Sequence, residues 1–477
     1  MKDNSIDQFK IRKDKLSELE KRNITPYPNS FKSRITVKNA INTCEGEKVR
    51  VCGRILSSRD MGKSVFSHIK DRTGKIQIYL RIDKLDDEQF DLYKDLDIGD
   101  FIGVEGELFL TRTKEKTVLV EKFEVLSKSL RPLPEKFHGL KDTEIRYRKR
   151  YLDILVNPEV SEVLKMRSEI IQDMREILRE KNFIEVETPM LQEIPGGAAA
   201  RPFKTHHNVF DIDLYLRIAP ELYLKRLLVG GWEKVFEIGK NFRNEGISTR
   251  HNPEFTMMEV YCAYTDYRYM MELSKEIICG IDKKIKDSGF ETNIDLSQGW
   301  EEKSIWDLLS EYTGTEFLPG DNFEKLKQKA EKLDVPPGKD SAHKIVDRIF
   351  SKYVQDNLIK PVFVTGFLSK DSPLAKSSPE NEIFAERFEI FINGQEIGNA
   401  YSEQNNPVIQ REMFEMQAEQ GEEYDKDKKI DEDYLESLEY GMPPASGLGI
   451  GVDRLVMAIT GKDSIREVIL FPMLRPI

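Results

Sequence analysis

Apolar and polar positions alternate with a period of two between about Lys48 and Leu126. Turn residues separate the alternating runs, which read in order VRVCGRIL, SVFSHIKD, KIQIYLRI, DFIGVEGELFLT and TVLVEKFEVL. A period of two is typical of strands that bury one face. Five short strands in succession predict a small closed β-barrel, and an OB-fold is the natural candidate for it.

Apolar residues with helical spacing lie on either side of this barrel. Residues 5–22 predict a charged helix, which the two prolines of TPYPNS (25–30) end. Residues 161–183 predict a second, amphipathic helix, and the short strand IEVETPML follows it. A charged and mostly helical stretch at about 303–357 contributes no obvious chemistry, so we interpret it as an insertion.

These patterns divide the chain of 477 residues into four parts. The predicted parts are an N-terminal helix (1–30), an OB-fold domain (31–130), a linker with two prolines and a basic run (131–155), and a second domain (156–477). The helical insertion belongs to the second domain. A chain of this length is sufficient for two or three domains, each with its own core.

Charge is distributed unevenly along the chain. The net charge is −11, yet residues 1–150 contain 33 Lys and Arg against 25 Asp and Glu. A basic front part suggests that a polyanion contacts the barrel, although a chance excess on solvated faces explains the counts equally well. OB-folds present aromatic and cationic side chains to single-stranded nucleic acid, and Arg59, Phe66 and Gln77 could serve here. Patterning alone also allows Phe66 to belong to the barrel core.

The remaining composition is that of an ordinary soluble enzyme. Hydrophobic residues make up 39% of the chain, and no apolar run is long enough to span a bilayer. The charged start MKDNSIDQFKIRKDK is unlike a secretory signal. Cys44, Cys52, Cys262 and Cys279 show neither a CxxC pair nor metal-ligand spacing, so we expect them to be reduced. We therefore predict a cytoplasmic protein that has no membrane partner.

The strand in EFTMMEVYCAY carries polar residues where a core strand would not. Alternation places Phe255, Met257, Glu259 and Tyr261 on one face. A glutamate and a tyrosine beside an aromatic ring indicate that this face lines a pocket, because a buried carboxylate must be paired. We therefore expect the ligand of this pocket to be partly cationic.

The loop before this strand concentrates positive charge. In the stretch FRNEGISTRHN, Arg243 ends one strand, and Arg250 with His251 lies across the loop. An arginine at a strand end can clamp a planar anion with two hydrogen bonds, so the loop suggests a nucleotide triphosphate site without a Walker loop. The alternative is a surface salt-bridge patch of Arg243, Glu245 and Arg250.

A hairpin is predicted in RFEIFINGQEIGNAYSE (387–403), where the Asn-Gly dipeptide favours a two-residue turn. The resulting register pairs Glu389 with Gly398 and makes Glu389 and Glu396 diagonal neighbours, close enough to share one hard cation such as Mg²⁺. Two solvated glutamates on an exposed hairpin are the alternative.

Strict alternation would send three later residues of this hairpin to the face opposite Glu396. These are Asn399, Tyr401 and Glu403. If all of them line one pocket, the second strand needs a bulge near Gly398.

The stretch SGLGIGVDRLVMAI (446–459) has glycines at alternate positions. It lacks the GxGxxG spacing and the βαβ unit of a dinucleotide site, so we reject that interpretation. The glycines instead allow close approach of the backbone. Arg454 lies near the start of a helix, where the helix dipole disfavours a cation, so we expect it to serve the negative charge of a ligand.

These segments together resemble the three sequence motifs of the class II aminoacyl-tRNA synthetases. TPML with Pro189, FRNE followed by RHNPEF, and GLGIGVDR match motifs 1, 2 and 3. Further elements are similar to the bacterial lysyl-tRNA synthetases specifically, namely PGGAAARPF (195–203), RIAPELYLKRL (217–227) and EIGNAYSE (396–403). The resemblance implies an α+β fold, with an antiparallel catalytic sheet flanked by helices behind an anticodon-binding OB-fold. It also implies a homodimer joined through motif 1.

The resemblance assigns an ATP site and a magnesium site. Arg243 would hold the α-phosphate and the substrate carboxylate, and Arg243 and Arg454 would be the catalytic residues. The implied ATP contacts are Arg243, Glu245 at the adenine amine, Phe255 on the adenine ring, His251 and Arg454 at the outer phosphates, Arg250 and Glu389. The implied Mg²⁺ ligands are Glu389 and Glu396, the pair that the hairpin pattern also indicates.

The resemblance also assigns the amino-acid and anticodon contacts. The implied lysine contacts are Gly197 and Glu221 at the α-amine, Asn399 and Arg243 at the carboxylate, Glu259, Tyr261 and Glu403 at the side chain, and Tyr401 and Gly449. The implied anticodon contacts are Arg59, Phe66 and Gln77. Two features depart from the family pattern, because Tyr401 replaces the usual phenylalanine and residues 365–376 lack the usual Tyr-Pro.

The implied activity is ATP-dependent formation of lysyl-adenylate from L-lysine, followed by transfer of the lysyl group to tRNA(Lys). A pocket ringed by glutamates suits a dication and would repel aspartate, which disfavours an aspartyl or asparaginyl synthetase. A protein-lysine ligase paralogue would be expected to lack the barrel. A non-catalytic RNA-binding relative would not need to retain the arginines and both metal carboxylates.

Overall fold

The computed structural model describes residues 2–134, 140–336, 341–420 and 430–476. It divides into two compact units, Met1–Lys141 and Asp142–Ile477. The first unit consists of α1 (Lys2–Lys21), α2 (Val37–Asn42), β1 (Lys48–Asp60), β2 (Ser64–Lys70), β3 (Lys75–Arg81), α3 (Asp87–Asp95), β4 (Phe101–Leu110) and β5 (Lys116–Ser127).

The five strands of the first unit form a closed barrel in the order β1-β2-β3-β5-β4. Burial alternates along β2 and β3, so that Val65 and Ile69 point inward with Ile76 and Ile78. The outward residues between them remain partly exposed. The predicted OB-fold is therefore confirmed, and the period of two in the sequence is the reason that the sheet can bury one face and solvate the other.

The second unit combines twelve helices with eleven strands over its described residues. The helices are α4 (Thr143–Arg148), α5 (Arg150–Val156), α6 (Pro158–Glu180), α7 (Glu221–Val229), α8 (Tyr267–Asp287), α9 (Ile305–Thr313), α10 (Phe323–Lys332), α11 (Ala342–Tyr353), α12 (Pro407–Gln420), α13 (Glu432–Glu439), α14 (Val452–Thr460) and α15 (Ile465–Val468). The strands are β6 (Ile184–Glu185), β7 (Leu191–Gln192), β8 (Lys204–His207), β9 (Ile212–Leu216), β10 (Lys234–Phe242), β11 (Glu254–Ala263), β12 (Glu301–Ser304), β13 (Val362–Thr365), β14 (Arg387–Ile392), β15 (Gln395–Ser402) and β16 (Ala445–Gly451).

An eight-stranded sheet organises this unit, in the order β12-β13-β14-β15-β16-β11-β10-β6. Its central pairs are antiparallel, and only the outer pairs β12-β13 and β10-β6 are parallel among the described strands. A small sheet, β7-β9-β8, accompanies it. The α+β class with a mostly antiparallel sheet is therefore confirmed.

Helices α6, α8 and α14 bury their apolar stripes against one face of the large sheet. Ile170 of α6, Ile277 of α8 and Val456 of α14 share a core with Met258 and Val260 of β11. These side chains are fully buried. The alternate residues of β11 point to the opposite face of the sheet, and that face carries the site.

Two segments outside the sheet have structures of their own. Helices α9 to α11 form a separate apolar core around Trp306 and Phe350, which the sheet joins through Val364 and Phe391. Residues 142–155 of the segment predicted as a linker belong instead to the second unit, where they contribute to α4 and α5. All four cysteines are free. No helix among the described residues combines the length and the apolarity needed to cross a membrane.

Candidate active site

A cavity of about 390 Å³ lies on the face of the large sheet that is opposite the helical core. It collects all of the predicted nucleotide and amino-acid residues except Glu389 and Glu403. The predicted residues that line it are Gly197, Glu221, Arg243, Glu245, Arg250, His251, Phe255, Glu259, Tyr261, Glu396, Asn399, Tyr401, Gly449 and Arg454. Residues separated by more than 250 positions in the sequence are thus brought together by the order of the strands.

The strand β11 presents its faces as the alternation predicts. Phe255, Met257, Glu259 and Tyr261 line the cavity, whereas Met258 lies in the helical core. Each residue between Glu254 and Ala263 pairs with β10, β16 or both, so the faces of the strand cannot rotate. The glutamate and the tyrosine are therefore held at the base of the pocket by backbone geometry.

Arg243 follows the end of β10, and its backbone N–H donates to the carbonyl of Pro253 over 2.8 Å, which closes the loop between β10 and β11. Its guanidinium carbon lies 5.0 Å from the centre of the Phe255 ring. Burial lowers the pKa of Arg243, while Glu245 and Glu396 oppose that shift, and the side chain remains cationic. A buried cation beside an aromatic face can meet both the charge and the ring of a nucleotide.

Arg454 lies in the first turn of α14, as predicted. Its Nη1 donates to the carbonyl and to Oε2 of Glu396, both over 3.0 Å, and its Nη2 lies 3.3 Å from Nε2 of His251. Burial, followed by the charge of Arg454, lowers the pKa of His251. Arg250 pairs with Asp356 over 2.7 Å and not with Glu245, so the cluster is not the salt-bridge patch considered as an alternative.

The hairpin between β14 and β15 has the predicted turn, since Asn393 and Gly394 both adopt positive φ, 51° and 68°. The register shifts between Ile390 and Phe391: Phe391 pairs with Glu396 but Ile390 pairs with Gly398, so that one residue of β15, Ile397, has no partner. The predicted pairing of Glu389 with Gly398 is therefore wrong by one residue, and Glu389 pairs with Asn399.

This shift is the bulge that the sequence required. Ile397 is 1% exposed and packs into the helical core. The extra residue lets Glu396, Asn399 and Tyr401 all line the same cavity, which strict alternation would forbid.

Glu389 and Glu396 face a second cavity of about 320 Å³, next to the first. Burial, followed by repulsion from Glu396, raises the pKa of Glu389 to about 8. Arg387 offsets part of this repulsion, because its Nη2 donates to Glu389 over 2.7 Å. Within the described part of the chain, no group of three or more His, Cys, Asp or Glu side chains could hold a metal alone. The two carboxylates nevertheless fit a divalent cation whose remaining ligands are phosphate oxygens and water.

The end of the cavity with the predicted amino-acid residues contains a buried charged cluster. Lys225 of α7 is 0% exposed and forms ion pairs with Glu221 over 2.6 Å and with Glu403. Tyr401 donates to Oε1 of Glu221 over 2.6 Å. Burial opposes the charge of Lys225, but Glu221 and Glu403 raise its pKa, so it stays protonated. Glu403 itself lies under the cavity and is 0% exposed.

Glu259 is the third carboxylate of this cluster. It is 5% exposed, and its Oε2 accepts a hydrogen bond from the hydroxyl of Tyr261 over 3.1 Å. Burial, followed by the charge of Glu221, raises the pKa of Glu259 to about 8. Burial likewise raises the pKa of Glu403 well above its ordinary value. The cluster therefore contains three carboxylates and one ammonium group, and a cationic ligand would relieve it.

Two glycines leave the space that this cluster needs. Gly197 has φ +83°, and a Cβ there would lie 2.9 Å from the Cβ of Glu221. A Cβ on Gly447 would overlap the carboxylate of Glu403 and the ring of Tyr261. Glycine is thus required at both positions for steric reasons, and at Gly197 for its backbone conformation as well.

Sequence reasoning missed two residues of the site, Lys225 and Arg387. Lys225 lies four residues after Glu221 on a helix, a spacing that favours an ion pair and could have revealed it. Arg387 lies two residues before Glu389 on β14, so alternation places the two on one face. It donates to Asn399 over 3.1 Å and to Ser372 over 3.1 Å, and Ser372 comes from the departing segment 365–376.

The predicted nucleic-acid residues lie on the barrel of the first unit. Phe66 is partly exposed on the outer face of β2 and stacks on Tyr79 with 4.1 Å between ring centres, so its assignment to the barrel core is wrong. Arg59 pairs with Phe66 across β1 and β2. Gln77, on the same outer face, donates to Glu115 over 3.0 Å. Tyr79 was missed, although it follows Gln77 at the spacing of one strand face.

Comparison with known proteins matches both units. Residues 142–475 match the family described as tRNA synthetases class II (D, K and N), and residues 49–126 match the OB-fold nucleic acid binding domain. The chain is 50% identical to the lysine–tRNA ligase of Pelotomaculum thermopropionicum, over 98% of this chain and 95% of that one. It is also 50% identical to the lysine–tRNA ligase of Syntrophomonas wolfei, over 98% and 97%, and 46% identical to that of Halalkalibacterium halodurans, over 98% and 97%.

Proposed function

Because the chain belongs to the class II tRNA synthetases (D, K and N), we propose that it is a lysine–tRNA ligase, which activates L-lysine with ATP and transfers it to the 3′ end of tRNA(Lys). The aspartate and asparagine members of the same family are the alternatives to be separated. The choice among them depends on the charge of the amino-acid pocket.

The observation that carries the proposal is the buried cluster of Glu221, Glu259 and Glu403, in which Lys225 is the one cation among the described residues that forms ion pairs with these carboxylates. Three carboxylates against one ammonium leave a deficit of two positive charges when all are ionised. Lysine supplies two ammonium groups and therefore matches this deficit. Aspartate would add a further carboxylate to the cluster, where the ammonium of Lys225 is already paired with two glutamates.

The nucleotide would occupy the other end of the same cavity. Arg243 and Phe255, which contact each other, would meet the α-phosphate and the adenine ring. Glu245 would receive the adenine amine. His251 and Arg454, 3.3 Å apart, would meet the outer phosphates together with Arg250.

Catalysis in this proposal requires no nucleophilic side chain. The carboxylate of lysine, oriented by Arg243 and Asn399, attacks the α-phosphorus, and pyrophosphate leaves. Arg243 and Arg454 neutralise the charge that develops on the phosphates. Glu389 and Glu396 would hold Mg²⁺, which supplies charge neutralisation on the phosphate oxygens. A hydroxyl of the terminal ribose of the tRNA then attacks the lysyl carbonyl of the adenylate, an ester forms, and AMP leaves.

We also propose an anticodon contact, a homodimer and a cytoplasmic location. Phe66, Arg59 and Gln77 would contact the anticodon of tRNA(Lys) on the barrel. A homodimer is supported by the exposed apolar residues Ile184 and Leu191, 50% and 49% exposed, in the segment that resembles motif 1. Sedimentation equilibrium would measure the mass of the protein in solution and so test for a dimer.

The free cysteines and the substrates suit a cytoplasmic protein, which cell fractionation would test.

The direct test is pyrophosphate exchange with ATP in the presence of lysine, aspartate or asparagine. We expect exchange with lysine and none above background with the other two. Exchange that depends on aspartate or asparagine would overturn the substrate assignment but not the family.

Arg243→Ala tests the mechanism. We expect it to lower lysine-dependent exchange by roughly 10²- to 10³-fold, because a buried positive charge that stabilises the transition state is lost. Lys240→Ala is the matched control, since Lys240 lies on the same strand but pairs with exposed Glu254 over 3.6 Å. A normal rate of exchange in Arg243→Ala would contradict the proposed role of Arg243 in catalysis.

A further inference from the structure

The two oxygens of the Glu221 carboxylate have different surroundings. Oε1 accepts two hydrogen bonds, from Nζ of Lys225 and from Oη of Tyr401, each over 2.6 Å. Oε2 lies 3.6 Å from the position that a Cβ would occupy on Gly197, so it faces the gap which that glycine leaves in the cavity wall. One oxygen is thus engaged by the protein, and the other faces the cavity.

The two donors on Oε1 come from separate elements, and both are held firmly. Lys225 is on α7, and its ammonium is also paired with Glu403. Tyr401 is on β15, between Arg387 of β14 and Gly447 of β16. The ammonium lies 5.5 Å from the centre of the Tyr401 ring, so the two donors support each other as well as the carboxylate.

From this geometry we propose that Tyr401 is a positioning residue, whose hydroxyl works with Lys225 to fix Oε1 of Glu221 and to aim Oε2 at the α-ammonium group of the substrate. This inference rests on the proposed activation of lysine. The charge of Lys225 is shared between two carboxylates, because it donates a hydrogen bond to Glu221 and also forms an ion pair with Glu403. A single donor would let Glu221 rotate about its last side-chain bond. The second donor removes that freedom before the substrate arrives.

The ring of Tyr401 lines the cavity, and its hydroxyl reaches Glu221. A phenylalanine keeps the ring and the wall of the cavity but removes the second donor to Oε1. The substitution Tyr401→Phe therefore separates the hydroxyl from the packing of the ring.

The experiment compares two ligands on the full-length chain by calorimetry: L-lysine, and 6-aminohexanoate, which is lysine without the α-amine. We expect Tyr401→Phe to weaken L-lysine binding by roughly 5- to 30-fold, because the contact of Glu221 with the α-ammonium loses its alignment. Binding of 6-aminohexanoate should change less than about twofold, since it makes no such contact. The KM for ATP should be unchanged.

Tyr434→Phe is the matched control. Tyr434 is 0% exposed and lies in the apolar cluster around Tyr261, and its hydroxyl has no hydrogen-bond partner among the described residues. Removing that hydroxyl should leave the binding of both ligands unchanged.

Two results would overturn the inference while leaving the proposed function intact. Equal weakening of both ligands by Tyr401→Phe would show a merely structural role, and no weakening of either would show that the hydroxyl is idle. A wild-type chain that fails to bind L-lysine would overturn the proposed function, and this inference with it.

Discussion

At the scale of single residues, burial gives ordinary side chains their function here. Glu259 is a carboxylate on a strand that otherwise belongs to the core, and the strand holds it 5% exposed in the cluster with Glu221. Its pKa rises from 4.5 to about 8 on folding, mainly through burial. The folded protein without ligand therefore keeps a proton on Glu259 between those two values, whereas the unfolded chain releases it. Stability from this group is full below pH 4.5 and falls as the pH rises to about 8.

The same pKa predicts how lysine binding depends on pH. A bound ammonium group favours the ionised form of Glu259, so binding below about pH 8 must release a proton. We expect the affinity for L-lysine to rise with pH between 6 and 8, by up to about tenfold per pH unit, and then to level off. Calorimetry in buffers of different ionisation enthalpy measures both the affinity and the proton release.

The Glu259→Gln variant is the control for this dependence. It should bind lysine more weakly and with a smaller slope against pH, because the titrating group is gone. Wild-type affinity that is constant from pH 6 to 8, with no proton release, would contradict the assignment of Glu259 to the ammonium pocket.

At the scale of elements, alternation predicted which residues share a face and that a bulge near Gly398 was needed, but not the register that results from it. The faces of β11 and the Asn-Gly hairpin were predicted correctly, because each depends only on local spacing. The pairing of Glu389 was wrong by one residue, because Ile397 is an apolar residue that joins the core as the bulge. Only the packing of distant helices decides which residue of a strand becomes the extra one.

The contacts around Glu221 could be predicted from the sequence only in part. Glu221 and Lys225 are four residues apart on one helix, and this spacing could have predicted their ion pair. Their contact with Tyr401, 180 residues away, depends on the place of β15 in the sheet. The sequence resemblance put all these residues in one pocket, but it could not show which oxygen of Glu221 is engaged.

Gly447 and Gly451 lie on the same strand, β16, but have different amounts of free space around them. Gly447→Ala should abolish lysine-dependent exchange, because the added Cβ would overlap Glu403 and Tyr261 in the lysine pocket. Gly451→Ala is the same substitution on the same strand, but its nearest contacts are 3.7 Å away, and we expect exchange within about threefold of wild type.

Thermal unfolding shows whether the Gly447→Ala chain remains folded. ATP binding should persist in this variant, because the nucleotide end of the cavity is untouched. Full lysine-dependent exchange by Gly447→Ala would mean that Glu403 does not occupy the pocket as described.

At the scale of the whole molecule, the chain has two units with separate cores, and we expect a division of labour in which each unit serves a different part of the reaction. The proposed amino-acid and ATP sites draw all their residues from the second unit, and the aromatic stack on the barrel belongs to the first. Formation of the adenylate should therefore be independent of the barrel surface, whereas transfer to tRNA should require both units.

Phe66→Ala tests this division. Phe66 stacks on Tyr79, which in turn lies 6.0 Å from Phe109, and the three rings form a platform on the outer face of the barrel. Stacking of a base on an aromatic side chain contributes about 1–3 kcal/mol, so we expect the KM for tRNA(Lys) in aminoacylation to rise roughly tenfold or more. Lysine-dependent exchange without tRNA should stay at the wild-type rate.

Phe101→Ala is the control, because it removes another outer ring of the barrel. This ring lies 4.2 Å from the Arg54 guanidinium, and its removal should leave both reactions unchanged. If Phe66→Ala lowered exchange and charging equally, the barrel would be needed for the folded state of the catalytic unit, and the division of labour would be refuted.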